Sequence, residues 1–157
     1  MSINLQEIRK RTLSVNEYLD SLEEPFKQKF LSRKQTYTPN QEAVKHLRET
    51  ADKYTIIVFS AKWCKDCAAN VPVLALIAEA TGLEVRIFGA LKKDPLSHTR
   101  KWRIPPSPPE VETFNIDKIP AIIIANNEGE EIGRIIESPK PIHTLEEEIY
   151  EIITSRP

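Results

Sequence analysis

The sequence predicts an α/β protein with a central mixed sheet of four to five strands flanked by helices, plus a helical extension at its N-terminus. Three observations carry this expectation. Residues 55–59 (Thr-Ile-Ile-Val-Phe) are continuously β-branched and aromatic, as a strand covered on both faces requires. A helical stretch over 65–81 and a second apolar strand over 83–88 follow at once, and a strand–helix–strand order favours parallel neighbours. Two more strand-like runs, 121–125 and 131–137, flank Asn126-Asn127-Glu128-Gly129, whose turn chemistry closes a hairpin.

In chain order, Ile3, Leu5, Ile8 and Leu13 give a weak apolar helix face. Ser14 and Glu17 have capping-box spacing and open a segment carrying Val15, Tyr18, Leu19 and Leu22. Pro25 ends it, because its ring and missing N–H obstruct a continuing helix. Phe26, Phe30 and Leu31 suggest a further turn or two. Thr38 then reads as an N-cap, with Pro39 at the first helical position and Gln41 at the third. Ala43, Val44, Leu47, Ala51 and Tyr54 recur at helical spacing behind it. Residues 1–42 are therefore expected to form a helical extension packed on a domain spanning 43–157.

Gly82 stops the long helix. Residues 92–102 are polar and partly helical in pattern, and Ile104-Pro105-Pro106-Ser107-Pro108-Pro109 reads as an extended polyproline-type loop. Trp102 and Arg103 beside it form either a substrate-facing lip or a solvated connector. Gly133 marks a bulge. Thr144 and Glu147 form a second capping box, opening a last helix to Thr154 with Leu145, Ile149, Ile152 and Ile153 inward. Glu146 to Glu148 read as a solvated helix face.

Composition narrows the function classes. Among 157 residues, 22 basic and 23 acidic side chains give a net charge of −1, which argues against a nucleic-acid or membrane surface. No apolar run approaches the roughly 20 residues of a membrane span. The first residues lack the basic start, apolar stretch and cleavage site of a secretory signal, so the expected location is the cytosol. Thiols there are kept reduced, and two cysteines three apart would close too short a loop to be a useful staple.

Trp63-Cys64-Lys65-Asp66-Cys67 stands where a buried strand hands over to a helix. A helix N-terminus presents unpaired N–H groups and partial positive charge, both of which favour a thiolate. Cys64 is thus the expected attacking thiol, and Cys67, one turn further in, the resolving one. Lys62 and Lys65 would stabilise the thiolate and Asp66 would oppose it. A zinc site would need two more ligands, and His46, His98 and His143 are scattered without finger-like spacing, so no metal is expected.

Residues 57–67, with Trp63 before the first cysteine, resemble the active-site strand and turn of the thioredoxin superfamily. Pro72 matches the proline of that family's active-site helix, and Ile119-Pro120-Ala121 looks like its cis-proline segment. The resemblance covers about residues 43–155. It implies a thioredoxin-like fold, with a cis Pro120 beside the cysteines and a groove where Ile119 pairs with a substrate backbone; Trp63 either packs beside that site and shields the sulfurs or serves the core. It implies protein disulfides as substrates and an electron donor such as a thioredoxin-reductase-like enzyme. No cofactor is expected beyond the Cys64–Cys67 couple, in a monomer or homodimer. Two departures stand out: Lys65-Asp66 replaces the Gly-Pro of thioredoxins, and Val58 stands where the family places a buried Asp. The expected activity is thiol–disulfide exchange; the alternative is an adaptor module docking a partner through its N-terminal helices.

Overall fold

The computed structural model describes residues 2–92, 96 and 107–155. The expected partly helical stretch over 92–102, together with His98, Trp102, Arg103, Pro105 and Pro106, lies almost wholly outside these; only Lys92 and Leu96 of that stretch are described.

The sheet is built around β2 (Tyr54–Phe59), whose Ile56, Ile57, Val58 and Phe59 are fully buried. β2 runs parallel to β3 (Glu84–Phe88) and antiparallel to β4 (Ala121–Asn126). β4 forms a hairpin with β5 (Glu131–Ile136). A strand buried on both faces can be continuously apolar, and this one is from Ile56 to Phe59. Phe59 stacks on Phe88 at 4.8 Å between ring centroids and meets Phe114 at 5.6 Å.

The fifth strand escaped the sequence. β1 is only Leu13–Ser14, pairing antiparallel with β3 through Leu13↔Ile87 and Ser14↔Arg86. The described sheet has the order β1-β3-β2-β4-β5. Two residues show no periodicity, so only their partner reveals them. The Arg86 side chain reinforces the pairing by donating to Thr12 Oγ1 and to the carbonyls of Arg9 and Thr12. At the other edge the Ile3 amide donates to the Gly129 carbonyl in the hairpin turn, at 2.6 Å.

Helix α1 (Leu5–Arg11) precedes β1, and α2 (Val15–Ser21) follows it behind the capping box of Ser14 and Glu17. α3 (Phe26–Thr36) is three turns long, more than its apolar residues suggest. Polar contacts to α5 (Lys65–Thr81) hold it: Arg33 Nε donates to the Ala69 carbonyl at 2.9 Å, and Lys34 pairs with Glu79 at 2.9 Å. α4 (Gln41–Thr50) is capped by Asn40 and not by Thr38. Asn40 Oδ1 accepts from the Ala43 amide, while its own amide is held by Glu146. Ala51–Lys53 tightens into a 3-10 turn, and Tyr54 opens β2 instead of extending the helix.

The end of the proline run also departs from expectation. Pro109 is helical in backbone and caps a short helix α6 (Glu110–Thr113). The bulge lies where Ile124 faces Gly133 and Ala125 faces Glu131, leaving Ile132 as the extra residue. Gly133 is needed for packing, because a Cβ there would lie 2.6 Å from Ile152 Cγ2. Gly82 ends α5 in the left-handed region, φ +82°.

The last helix α7 (Leu145–Thr154) corrects the reading of its acidic cluster. Glu146 is 0% exposed and Glu148 is buried. The Glu146 carboxylate accepts from Tyr37 Oη at 2.8 Å and the Asn40 amide at 2.6 Å. Glu148 accepts from the Lys140 amide at 2.9 Å. These donors come from residues far from the cluster or from irregular chain, so local composition gave no sign of them. Among the described residues no helix is long and apolar enough to cross a membrane.

Glu146→Ala strands two donors in the interior, each costing about 1–3 kcal/mol. A loss of roughly 2–4 kcal/mol of unfolding free energy in urea titration is expected, against less than about 0.5 kcal/mol for exposed Glu42→Ala.

Candidate active site

The β2–α5 junction places a sulfur at the start of a helix. The Ser60 amide continues the parallel pairing by donating to the Phe88 carbonyl at 2.9 Å. The chain then turns, and Cys64 becomes the N-cap of α5, with φ −81° and ψ 120°. Its Sγ accepts from the Cys67 amide at 3.2 Å, in the place a Ser or Asp oxygen takes in ordinary caps. Both cysteines are free, and Cys67 is fully buried behind Cys64.

Opposite them lies the segment entering β4. Cys64 Sγ is 3.8 Å from the Ile119 carbonyl, and the Ile119–Pro120 peptide bond is cis. The Pro120 carbonyl accepts from the Glu137 amide at 2.8 Å. Glu137 adopts φ +68°, a left-handed backbone that disfavours a side chain by about 1–2 kcal/mol. Asn70 secures it: its Nδ2 donates both to the Asp66 carbonyl at 2.9 Å and to the Glu137 carbonyl at 3.0 Å. One side chain thus ties the first turn of α5 to the loop that carries Pro120. Sequence reasoning missed Asn70, because a lone Asn inside a helical pattern carries no signal of its partner.

The electrostatics separate the two thiols. The hydrogen bond from the Cys67 thiol, followed by those from the Cys67 and Asp66 amides, lowers the Cys64 pKa to about 7; partial burial and the Asp66 charge oppose this. Burial drives the Cys67 pKa upward, and the hydrogen bond it gives Cys64 adds to that; Ser60 works against both. Lys62 is turned toward the N-terminal helices, paired with Glu23 and lying 5.4 Å from the Phe26 ring centroid. Trp63 is 48% exposed. Trp63, Lys65, Asp66, Lys118, Ile119 and Glu137 surround Cys64 in an open cleft of about 230 Å³. The predicted site residues Trp63, Cys64, Ile119, Lys65 and Asp66 therefore share one surface, with Pro120 following directly. Lys62 is engaged elsewhere, and Cys67 lies beneath.

A further contact was invisible in the sequence. Tyr18 Oη of α2 lies 3.1 Å from Ser60 Oγ, in the interior. The Ser60 hydroxyl in turn acts on the Cys67 thiol, favouring its ionisation. Tyr18 shows only as one apolar position on a helix face, with nothing to distinguish it from a core residue.

A paired thiol at a helix N-terminus, beside an X-Pro loop on this mixed sheet, defines a thioredoxin-like class of protein. The family model described as Thioredoxin matches residues 12–150, and the chain belongs to that family. It is 30% identical over 103 residues to a thiol:disulfide interchange protein TxlA homolog of Synechocystis sp., covering 66% of this chain. The chain spans about half, 51%, of that relative's length. A solved protein of unknown function from Pseudomonas aeruginosa superposes with a TM-score of 0.74 at 15% identity over 100% of both chains. An HIV epitope-scaffold superposes with a TM-score of 0.73 at 14% identity, covering 97% of this chain and 98% of its own. At such identities the likeness to the two structures establishes fold alone.

Because the Cys64 thiolate forms as pH rises through its lowered pKa, alkylation by iodoacetamide should accelerate with a midpoint near pH 7. The Cys64→Ser variant should lose this phase. A midpoint at the unperturbed thiol value of about 8.5 would contradict the assignment.

Proposed function

We propose that this protein is a thiol–disulfide oxidoreductase acting on protein disulfides, with Cys64 as nucleophile and Cys67 as resolving thiol. One observation carries the reading: Cys64 Sγ caps α5 in an open cleft, with Cys67 buried one turn behind it. The Cys64 thiolate attacks a substrate sulfur, and the substrate's second sulfur leaves with the electron pair. Cys67 then attacks Cys64 Sγ, the mixed disulfide breaks, and the substrate departs as a dithiol. The protein is left with a Cys64–Cys67 disulfide, so each cycle needs two electrons from a reductant such as a thioredoxin-reductase-like enzyme. The redox couple is the cysteine pair itself, with no further cofactor and no metal.

The Ile119 backbone lies beside Cys64, its carbonyl 3.8 Å from Sγ, and an extended substrate strand would pair there. Exposed Trp63 provides an apolar flank for that strand. The name of the Synechocystis relative, a thiol:disulfide interchange protein, supports the same chemistry. A reducing cytosol is the proposed setting, in which the pair works as a reductant.

Insulin reduction followed by turbidity, with dithiothreitol as donor, tests this. Cys64→Ser should lose essentially all catalysed rate, at least about a hundredfold. Cys67→Ser should accumulate mixed disulfides through Cys64. A wild-type rate no higher than that of Cys64→Ser would refute the activity.

A further inference from the structure

The exchange reaction leaves the resolving thiol with a difficulty. Cys67 must attack as a thiolate, yet it is fully buried, and burial opposes its ionisation. The side chain on β2 one residue before the core ring of Phe59 is Val58, which is aliphatic and fully buried. Besides Cys64, the polar groups that act on the Cys67 thiol are the Ser60 hydroxyl and the Ala61 backbone, both of which favour its ionisation. Ser60 is fully buried just past the end of β2, and Tyr18 Oη from α2 lies 3.1 Å from Ser60 Oγ.

The position of Tyr18 is closely determined. The capping box of Ser14 and Glu17 starts its helix, and Phe30 packs edge-on against its ring at 6.1 Å. Its ring lies over the backbone at Gly89, where a Cβ would fall 2.3 Å from Tyr18 Cε1. A glycine is required there for the ring to approach. A buried tyrosine needs a partner for its hydroxyl, and the partner found is the serine that faces the thiol.

We infer that Tyr18 and Ser60 form a directional hydroxyl chain that positions and stabilises the Cys67 thiolate during resolution, so that the N-terminal segment contributes to the chemistry. The inference rests on the dithiol reading above and deepens it. Ser60 has one proton to donate. When that proton points at sulfur, its oxygen is free to accept from Tyr18, and each bond polarises the other. Tyr18 stays protonated, since burial pushes its pKa up to about 12. It therefore remains a donor at every pH where the protein works. The titratable groups facing Cys67 are Cys64 on its own helix and, across Ser60, Tyr18 from α2; the Asp66 charge bears on Cys64.

In the step concerned, Cys67 Sγ bonds to Cys64 Sγ and the bond from Cys64 to the partner sulfur breaks. The partner sulfur takes the electron pair, and the Cys67 proton passes to that departing thiolate or to buffer. The cysteine pair is oxidised and the partner reduced. Tyr18 and Ser60 are positioning residues: they neither gain nor lose a proton overall.

The test uses 5,5′-dithiobis(2-nitrobenzoate) with the full reduced chain in stopped flow. Attack by Cys64 releases one aromatic thiolate in a phase that scales with reagent. Attack by Cys67 on the resulting mixed disulfide releases a second in a phase independent of reagent. Ser60→Ala should lower the ratio of second-phase to first-phase rate about tenfold and move the second-phase pH profile to higher pH. Ser60→Thr, which keeps the hydroxyl, should restore both. Tyr18→Phe, which keeps the ring, should slow the second phase several-fold when Ser60 is present and have no added effect in Ser60→Ala. An unchanged phase ratio and pH profile in Ser60→Ala overturns the inference. So does a Tyr18→Phe effect of equal size in both backgrounds. A wild-type protein that releases no second equivalent refutes the dithiol reading itself, and the inference with it.

Discussion

Everything at the active site depends on one sulfur accepting a hydrogen bond from the first turn of α5. Cys64 caps that helix, and the free amides of the turn supply the donors that an anion requires. The same bond fixes where the second thiol lies. Cys67 provides the amide, so the residue that carries the more deeply buried thiol also helps hold the Cys64 sulfur. Shortening or shifting the helix by one residue would break that link.

The helix start is in turn held in place from several sides. Ser60 extends the β2–β3 ladder, so the turn begins from a buried strand that cannot easily move. Asn70 couples the first turn to Glu137, and the Glu137 amide holds the Pro120 carbonyl. The cysteine pair and the Ile119–Pro120 segment therefore sit on opposite ends of one short hydrogen-bonded path. Trp63 and Cys64 line the cleft beside this path, together with Lys118, Ile119 and Glu137.

The first forty residues are built into this framework. β1 adds an edge strand, Ile3 pairs with the hairpin turn, and Tyr37 and Asn40 satisfy the buried Glu146. α2 and α3 lie along α5, bringing Tyr18 to Ser60 and Lys62 to Glu23. A segment anchored by buried polar contacts of this kind resists detachment, because separating them exposes apolar faces and strands donors together.

The sequence alone determined what local chemistry dictates. The apolar run of β2, the caps at Ser14 and Thr144, the stop at Gly82 and the placement of Cys64 at a helix start all follow from the preferences of neighbouring residues. Only the tertiary structure decided the rest. The two-residue β1, the choice of Asn40 over Thr38 as cap, the burial of Glu146, and the meeting of Tyr18 with Ser60 each require a partner 42 to 109 positions away. A side chain's type limits what it can bond, but distant segments reach it only when the core folds, and that packing settles which bond is made.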